Sequence, residues 1–301
     1  MATLLKPAQS SKRRVNLAPY LFLLPAGLVL GVFWILPALM AVFNSFAESE
    51  FGGAWRWVGL SNYVQLAGDP TFWKALVNSL IYLVGVVPAL VLLPLLIAIL
   101  VNVPMRGIGI FRAAYYLPVV IPIVVVGLTW KWLYAENGMV NWVAQSAFPW
   151  LLAHPVPWLS QPETALGAVM AVTVWKGLGY YMVIYLAGLQ GIPQEIYESA
   201  DLDGAKRWQQ HLYLTLPLMI PHMAMVGIVS SINALKVFAE IFVLTKGGPL
   251  EASTTMVYYL YQQAFESLNM GYASAIGMVL FAMTLALSML NKRYLEQNQL
   301  G

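Results

Sequence analysis

The residues Ala75 to Val101 read ALVNSLIYLVGVVPALVLLPLLIAILV, a run without a single Asp, Glu, Lys or Arg. A helix that crosses a bilayer needs about 20 consecutive and predominantly apolar residues. This run is longer, so it can cross with some tilt. Lipid offers no water to exposed backbone N–H and C=O groups, and the run lacks the apolar-polar alternation of a membrane barrel strand. It therefore predicts a transmembrane α-helix.

The composition of the whole chain agrees with a membrane protein. Of its 301 residues, 60% are hydrophobic and 10% are charged, whereas soluble proteins carry about 25% charged residues. A soluble chain of this length would form about two domains, each with a charged surface that this sequence does not supply. The formal net charge of +3 is dispersed, which argues against a nucleic-acid footprint. We predict a single all-α membrane bundle.

Six apolar runs predict six transmembrane helices. The first lies within the uncharged stretch Val15–Ala47 and is expected over residues 20–43, and the second is the run quoted above. The basic cluster Lys12–Arg14 also occurs in secretory signals, but their apolar cores have about 7–15 residues, so we expect an uncleaved anchor. The other four runs cover 113–132, 164–189, 212–235 and 268–291, and the expected organisation is an N-terminal tail over 1–19, the first helix over 20–43, a core over 72–291 and a C-terminal tail over 292–301.

Proline occurs inside several of these runs, including Pro118 and Pro122 in the third. Proline would break a soluble helix, but transmembrane helices tolerate it where neighbouring groups satisfy the freed backbone. We therefore expect kinked helices, and the kinks either make the helices mobile or merely help their packing.

The distribution of Lys and Arg predicts the orientation, because cytoplasmic loops carry an excess of both residues. With the N-terminus inside, the cytoplasmic segments hold ten of them and the outer loops hold three. The ten are Lys6, Lys12, Arg13, Arg14, Arg106, Arg112, Lys206, Arg207, Lys292 and Arg293, and the three are Arg56, Lys74 and Lys246. Both termini are therefore expected in the cytoplasm.

The uncharged segment 138–162 permits two interpretations. It contains Trp142, Trp150 and Trp158, and tryptophan is enriched where lipid headgroups meet water. We predict an outer loop that touches the membrane surface. If the segment crossed the membrane instead, the loops after it would change sides and the charge asymmetry would weaken.

The most charged segment is the loop 191–211, which reads GIPQEIYESADLDGAKRWQQH. Gln194–Leu202 has the marks of a short helix that begins after Pro193, with Glu195 and Glu198 on one face near its N-terminus. Gly204 can end that helix in a left-handed conformation. Taken alone, an acidic helix in a loop is more often a solvated connection.

The spacing of this loop resembles a family signature. Glu198, Ser199 and Ala200 are followed after three residues by Gly204 and after nine more by Leu214–Pro217. Inner-membrane permeases of binding-protein-dependent ABC importers carry E-A-A, three residues, G, nine residues and I-x-L-P. Four other stretches resemble the carbohydrate-uptake branch of that family, namely PYLFLLPAGL (19–28), YLAGLQGIP (185–193), LTKGGP (244–249) and GYASA (271–275).

The resemblance implies a type I ABC importer permease fold in a bacterial inner membrane, with a sugar or similar small polar solute as cargo. It implies that the loop 191–211, the coupling loop, sits in a cleft of a cytoplasmic ATPase subunit. Further implied partners are an extracytoplasmic solute-binding protein and a second permease, expected to be a related chain, although a second copy of this chain stays open. The residues expected to couple to the ATPase are Glu195, Glu198, Ser199, Ala200, Asp203 and Gly204.

Polar residues inside the fourth and fifth predicted spans indicate a solute pathway. An ammonium at mid-membrane costs about 2.5 to 3.5 kcal/mol, so Lys176 should face the bundle interior or water. In related sugar permeases the positions matching Gly177, Tyr180 and Ser230 line the pathway, while Asn233 matches an aromatic contact position. We expect Gly177 and Gly179 to open space beside Lys176 and Tyr180. The alternatives are that Ser230 and Asn233 only bond between helices and that Lys176 pairs with a backbone carbonyl.

Other functions find little support in the sequence. There is no G-x-x-x-x-G-K-[ST] loop, so no cofactor is expected in this chain and a partner ATPase would bind ATP and Mg²⁺. His154, His211 and His222 have no metal-ligand spacing, and no G-x-S-x-G elbow or H-E-x-x-H occurs, so an enzyme is not expected. The main alternative is a carrier driven by an ion gradient, which would place acidic residues inside the membrane; the six predicted spans contain none. A purely structural membrane protein is a third reading.

Overall fold

The computed structural model describes residues 18–48, 55–147 and 154–299. In these ranges the chain is almost wholly helical, and Ala47–Glu48 (β1) and Arg56–Trp57 (β2) form one short antiparallel pair. Most of the expected N-terminal tail (1–17) and the end of the expected C-terminal tail (300–301) lie outside the described residues.

The helices are α1 (Ala18–Leu30), α2 (Leu36–Ser45), α3 (Ser61–Ala67), α4 (Pro70–Val101), α5 (Ile108–Val120), α6 (Ile123–Leu133), α7 (Met139–Ala147), α8 (Pro162–Gln190), α9 (Gln194–Leu202), α10 (Arg207–Gln210), α11 (Leu216–Leu218), α12 (Ile220–Leu235), α13 (Ala239–Leu244), α14 (Met256–Tyr261) and α15 (Met270–Gln299), with π-helical segments at Gly31–Ile35, His211–Thr215 and Gln262–Glu266.

Five helical stretches in the described ranges are long and apolar enough to cross a membrane, and each overlaps a predicted span. The second begins at Pro70, before the charge-free run, because Asp69 caps it. The Asp69 carboxylate accepts a hydrogen bond from the Thr71 amide at 2.9 Å, and proline suits the first turn of a helix. These five predicted helices are confirmed; they are Leu21–Ser45, Pro70–Val101, Pro162–Gln190, Arg207–Leu235 and Met270–Asn291.

The third predicted span is not one continuous helix. It consists of α5 and α6, which meet at an angle of 100°. Pro122 has no N–H to continue the helical ladder, and Ile121 before it is extended, with ψ of 130°, as residues before proline tend to be. The prediction of a single kinked helix over 113–132 is therefore wrong, and the count of six spans holds only if the bent pair crosses as one.

The segment 138–162 contains no spanning helix in its described part. Its only helix there, α7, has 9 residues and a length of about 14 Å, too short for a hydrocarbon core of about 30 Å. Asn141 folds the segment back on itself, because its side chain accepts from the Val156 amide at 3.0 Å and the Trp158 indole at 3.0 Å. This geometry favours the loop interpretation. Trp150 lies outside the described residues.

The core of the bundle lies where α4 packs against α8 and α12. Tyr82, Met182 and Tyr185 are fully buried there, and the Tyr185 hydroxyl donates to the Val91 carbonyl at 2.9 Å. The first span packs on α15 through α2 and otherwise exposes large apolar side chains. In a membrane such a face meets lipid or another helix, since lipid is as apolar as the side chains.

A carboxylate joins three helices at one end of the bundle. Besides capping α4, Asp69 accepts hydrogen bonds from the hydroxyls of Tyr259 in α14 at 2.5 Å and Tyr272 in α15 at 2.6 Å. Burial by itself would raise the pKa of Asp69, but these bonds and those from the Phe72 and Thr71 amides favour the charged form and hold the pKa below its usual value. Asp69 thus ties the second span to the last.

Candidate functional site

The short helix α9 forms as the sequence predicts. It begins at Gln194 directly after Pro193, whose backbone is extended, and it ends at Leu202. Gly204 adopts a left-handed conformation with φ of +76°. The Gly204 amide donates to the Asp201 carbonyl at 3.0 Å, and the Ala205 amide donates to the Ala200 carbonyl at 2.9 Å. These two bonds form a Schellman motif, the usual reason for glycine at this position.

The acidic residues expected to couple to an ATPase lie on the surface of this helix. Glu195, Glu198 and Asp203 are exposed, and Glu198 accepts a local hydrogen bond from the Gln194 amide group at 2.9 Å. The hydroxyl of Ser199 donates to the Glu195 carbonyl at 2.8 Å, so it is already used within the helix. Ala200 is half-buried. The carboxylates are therefore the polar groups left for a partner.

An apolar side chain accompanies these acids. Leu202, at the end of α9, is 90% exposed. It was not among the coupling residues expected from the sequence. Its position beside Asp201 and Asp203 in the most charged segment was the available signal. Together with the small residues Ser199 and Ala200, it gives α9 a surface suited to a cleft.

The coupling loop is bonded to the base of the fifth span. The Tyr197 hydroxyl bonds the Thr215 hydroxyl at 2.9 Å, and the Gln210 amide group donates to the Asp201 carboxylate at 2.5 Å. Gln210 lies in α10 and Thr215 lies in the π-helical segment His211–Thr215, and these segments lead into α12. Because of these cross-links, a force on α9 acts directly on the helix that lines the interior of the bundle.

The five predicted pathway residues line one cavity. This central cavity has a volume of about 440 Å³ and lies between α4, α8, α12 and α13, in the range of pockets that bind small molecules. Its polar lining comes from residues far apart in the chain, which the helix packing brings together. These are Tyr82, Thr173, Lys176, Tyr180, Tyr181, Ser230, Asn233, Lys236 and Glu240, with Gly177 and Phe238 beside them.

Lys176 uses its ammonium group inside the bundle, as its cost in lipid requires. Its Nζ donates to the carbonyl of Val119 at 3.2 Å. Val119 lies in the last turn of α5, where carbonyls have no helical donor and a cation is favoured by the helix dipole. The carbonyl pairing that the sequence left open therefore occurs, and it stabilises the break in the third span.

The other predicted residues differ in how free their polar groups are. The Ser230 hydroxyl donates to the Val226 carbonyl at 2.7 Å, so it is bonded within its own helix. The Asn233 amide group reaches the Tyr181 hydroxyl only at 3.5 Å, a weak contact. Tyr180 is 43% exposed. Asn233 and Tyr180 are thus better placed than Ser230 to contact a solute.

The two glycines of the fourth span have different roles. Gly177 lines the central cavity, and a Cβ there would lie 2.8 Å from the Leu90 side chain. Gly179 instead packs against the third span, since a Cβ would lie 2.1 Å from the Tyr115 carbonyl oxygen. The expectation that Gly179 opens space beside Lys176 and Tyr180 is wrong, because the Tyr115 backbone fills that space. It lets two helix backbones cross closely.

Glu240 is a cavity residue that the sequence analysis missed. It lies in α13, just beyond the fifth span, and so fell outside the search for acids within spans. Its signal was an acid in the otherwise apolar stretch VFAEIFVL (237–244). Burial raises the pKa of Glu240. A hydrogen bond from its own backbone amide and the charge of Lys176 oppose this rise.

The protein is a bundle of membrane-spanning helices with a polar interior cavity. An acidic surface loop is hydrogen-bonded to the base of one of the helices that line this cavity. These features are those of a solute transporter subunit. The family of binding-protein-dependent transport system inner membrane components matches residues 64–297. The chain belongs to this family.

Three relatives illustrate the likeness. The probable ABC transporter permease protein YurN of Bacillus subtilis is 37% identical over 93% of this chain and 97% of its own. The lactose transport system permease protein LacF of Rhizobium radiobacter is 32% identical over 93% and 95%. A crystal structure of a bacterial alginate ABC transporter in complex with a periplasmic protein bound to alginate pentasaccharide aligns with a TM-score of 0.77, 26% identity and coverage of 91% and 92%.

These likenesses decide between the alternatives left by the sequence. The chain has the type I ABC importer permease fold and is a multi-pass inner-membrane permease subunit. The resemblance to the ABC permease family is confirmed, and the gradient-driven carrier has no support. Glu240, although it lines the cavity, is therefore not read as an ion-coupling site.

Proposed function

We propose that this chain forms part of the translocation pathway of an ATP-driven importer for a sugar or related small polar solute. The observation that carries the proposal is the central cavity, which places Lys176, Tyr180 and Asn233 around a space of about 440 Å³. Relatives named as permeases for lactose and for arabinooligosaccharides support carbohydrate as the cargo.

The side chains of the cavity suit a carbohydrate. The apolar face of a sugar ring can lie on an aromatic ring such as that of Tyr180 or Phe238, while amide and hydroxyl groups bond the hydroxyls at its rim. Asn233 and Tyr180 supply those groups with little competition from intramolecular bonds. Gly177 lines the same cavity, with the Leu90 side chain packed against it.

Transport requires partners that supply energy and deliver solute. The proposal assigns ATP and Mg²⁺ binding, and hydrolysis, to a cytoplasmic ATPase subunit that receives α9 through Glu195, Glu198, Ser199, Ala200, Asp203 and Gly204. A second, related permease would complete the pathway. An extracytoplasmic solute-binding protein would deliver the solute, which agrees with the family description and with the periplasmic protein bound to the alginate transporter.

Uptake into proteoliposomes tests the proposed function. With the partner permease, ATPase and binding protein present, enclosed ATP is expected to drive accumulation of at least one of radiolabelled lactose, arabinotriose or raffinose. Non-hydrolysable nucleotide should reduce it to the level of empty vesicles, because the energy comes from hydrolysis. Accumulation driven by a proton or sodium gradient without ATP, or none of the three sugars taken up, would contradict the proposal.

Reporter fusions test the proposed orientation. We expect both termini and the coupling loop in the cytoplasm, because ten of the thirteen Lys and Arg residues counted lie on that side. Cytoplasm-dependent reporters placed after Gln297 or within 194–207 should be active, and one near Gly53 should be inactive. A cytoplasmic signal near Gly53 would rule out the six-span topology.

A further inference from the structure

An acidic side chain projects into the central cavity without any assigned role. Glu240 lies in α13 and lines the same cavity as Lys176 of the fourth span, whose charge influences its ionisation. It lies on a different element from the pathway residues expected from the sequence, so the polar lining includes α13 as well as α4, α8 and α12. A solute in the cavity would therefore meet polar groups from four helices.

The Glu240 carboxylate has few partners within the protein. In the described part of the chain it makes no ion pair, and its only favourable neighbours are its own backbone amide and the charge of Lys176. The Lys176 ammonium is instead bonded to the Val119 carbonyl. A half-buried carboxylate is costly unless hydrogen-bond donors satisfy it, so its oxygens can accept from donors that a bound solute brings.

The charges of the cavity restrict what those donors can be. Glu240 would repel an anionic solute, and the ammonium groups of Lys176 and Lys236 would repel a cationic one. Hydroxyl groups carry no charge, so neither repulsion applies to them. Two hydroxyls can donate to the two oxygens of one carboxylate. Bonds to a charged acceptor are the stronger kind, so such a contact can discriminate between sugars.

Resting on the proposed function, we infer that Glu240 is a specificity-determining residue whose carboxylate accepts hydrogen bonds from hydroxyl groups of an uncharged carbohydrate in the central cavity. The contact orients the solute between the aromatic rings and the amide of Asn233. It also disfavours acidic sugars of the same size.

A comparison of deoxy sugars tests the inference in the reconstituted importer. The neutral probe is whichever of lactose, arabinotriose and raffinose the wild-type complex takes up fastest, together with its monodeoxy analogues and its uronic acid. For the wild type, removal of one particular hydroxyl should lower kcat/KM about tenfold, as expected for a bond to a charged group. In Glu240→Gln the same removal should cost less than about twofold, because the charged acceptor is gone.

The same binding protein serves both variants, so its own selectivity cancels from each ratio. The uronic acid should gain relative to the neutral probe in Glu240→Gln, because the repelling charge is lost. Glu266→Gln, the same change at an exposed acid outside the cavity, is the matched control and should reproduce every wild-type ratio.

Three results would overturn the inference. Unchanged deoxy-sugar ratios in Glu240→Gln would show that no solute hydroxyl contacts Glu240, and an equal loss for every probe would indicate a structural role. If the wild type takes up none of the three neutral sugars, the proposed function itself is wrong and the inference falls with it. That last outcome is seen before any variant is compared, so the two failures are distinguishable.

Discussion

Gly204→Val is expected to abolish solute uptake while the protein still inserts in the membrane. Gly204 has φ of +76°, a conformation that costs residues other than glycine about 1–2 kcal/mol and a β-branched one more. No heavy atom lies within 4 Å of a Cβ built at this position, so the damage is confined to the backbone at the end of α9. Loss of the Schellman bonds should misplace the helix that couples to the ATPase.

Uptake into vesicles and co-purification of the ATPase with the permease measure this effect. Gly204→Asn is the matched control, because asparagine tolerates the left-handed conformation, and it should retain most of the uptake. Glu198→Lys should reduce co-purification by a different route, since it reverses an exposed charge on α9 without altering the backbone. The same reversal at Glu266, which is also exposed but lies outside the coupling loop, should have little effect.

Full uptake by both Gly204→Val and Glu198→Lys would rule out the docking role of the coupling loop. Loss of uptake with normal co-purification of the ATPase would move the role of Gly204 from docking to transmission of the motion. Loss of the permease from the membrane would make Gly204 a folding residue instead.

Tyr180→Ala and Asn233→Leu are expected to lower solute uptake about tenfold each, with basal ATP hydrolysis and assembly little changed. Each removes a polar group that faces the central cavity and is weakly used by the protein. A tenfold loss corresponds to about 1.4 kcal/mol, within the usual range for a lost hydrogen bond to a bound ligand. The measurement is initial uptake at saturating binding protein, with ATP hydrolysis recorded in parallel.

Tyr116→Ala is the matched control for the tyrosine. Tyr116 is 40% exposed, close to the 43% of Tyr180, but it lies on α5 and does not line the cavity. It should leave uptake near the wild-type rate. Normal uptake by both Tyr180→Ala and Asn233→Leu would show that the solute takes another path, and so would a fall in uptake explained entirely by failed assembly.

Features set by local chemistry could be predicted from the sequence. Five spans follow from apolar runs that only a lipid-embedded helix can satisfy. The helix Gln194–Leu202 follows from Pro193 at its start and Gly204 beyond its end, two residues with strong positional preferences. The signature spacing from Glu198 to Pro217 was enough to indicate the family.

The break in the third span depended on neighbours that are distant in the sequence. Pro122 was visible, but a proline in a membrane helix can be absorbed as a kink or can end the helix, depending on what satisfies the freed carbonyls. Here Lys176 of the fourth span donates to the Val119 carbonyl. Gly179 of the same span lets the Tyr115 backbone approach. Without knowledge of how α5 packs on α8, the sequence could not show whether Pro122 kinks the helix or ends it.

The sequence by itself determined the class of protein, the positions of most helices and the local shape of the coupling loop, because these depend on residues within a few turns of one another. Only the tertiary structure decided which polar groups are free in the central cavity. Ser230 is bonded within its own helix, whereas Glu240, on a helix beyond the fifth span, lines the cavity with only its own backbone amide and the charge of Lys176 as favourable neighbours. The reason is physical: a polar group inside a membrane bundle takes whichever partner the packing brings within bonding distance, and that partner is set by three-dimensional proximity.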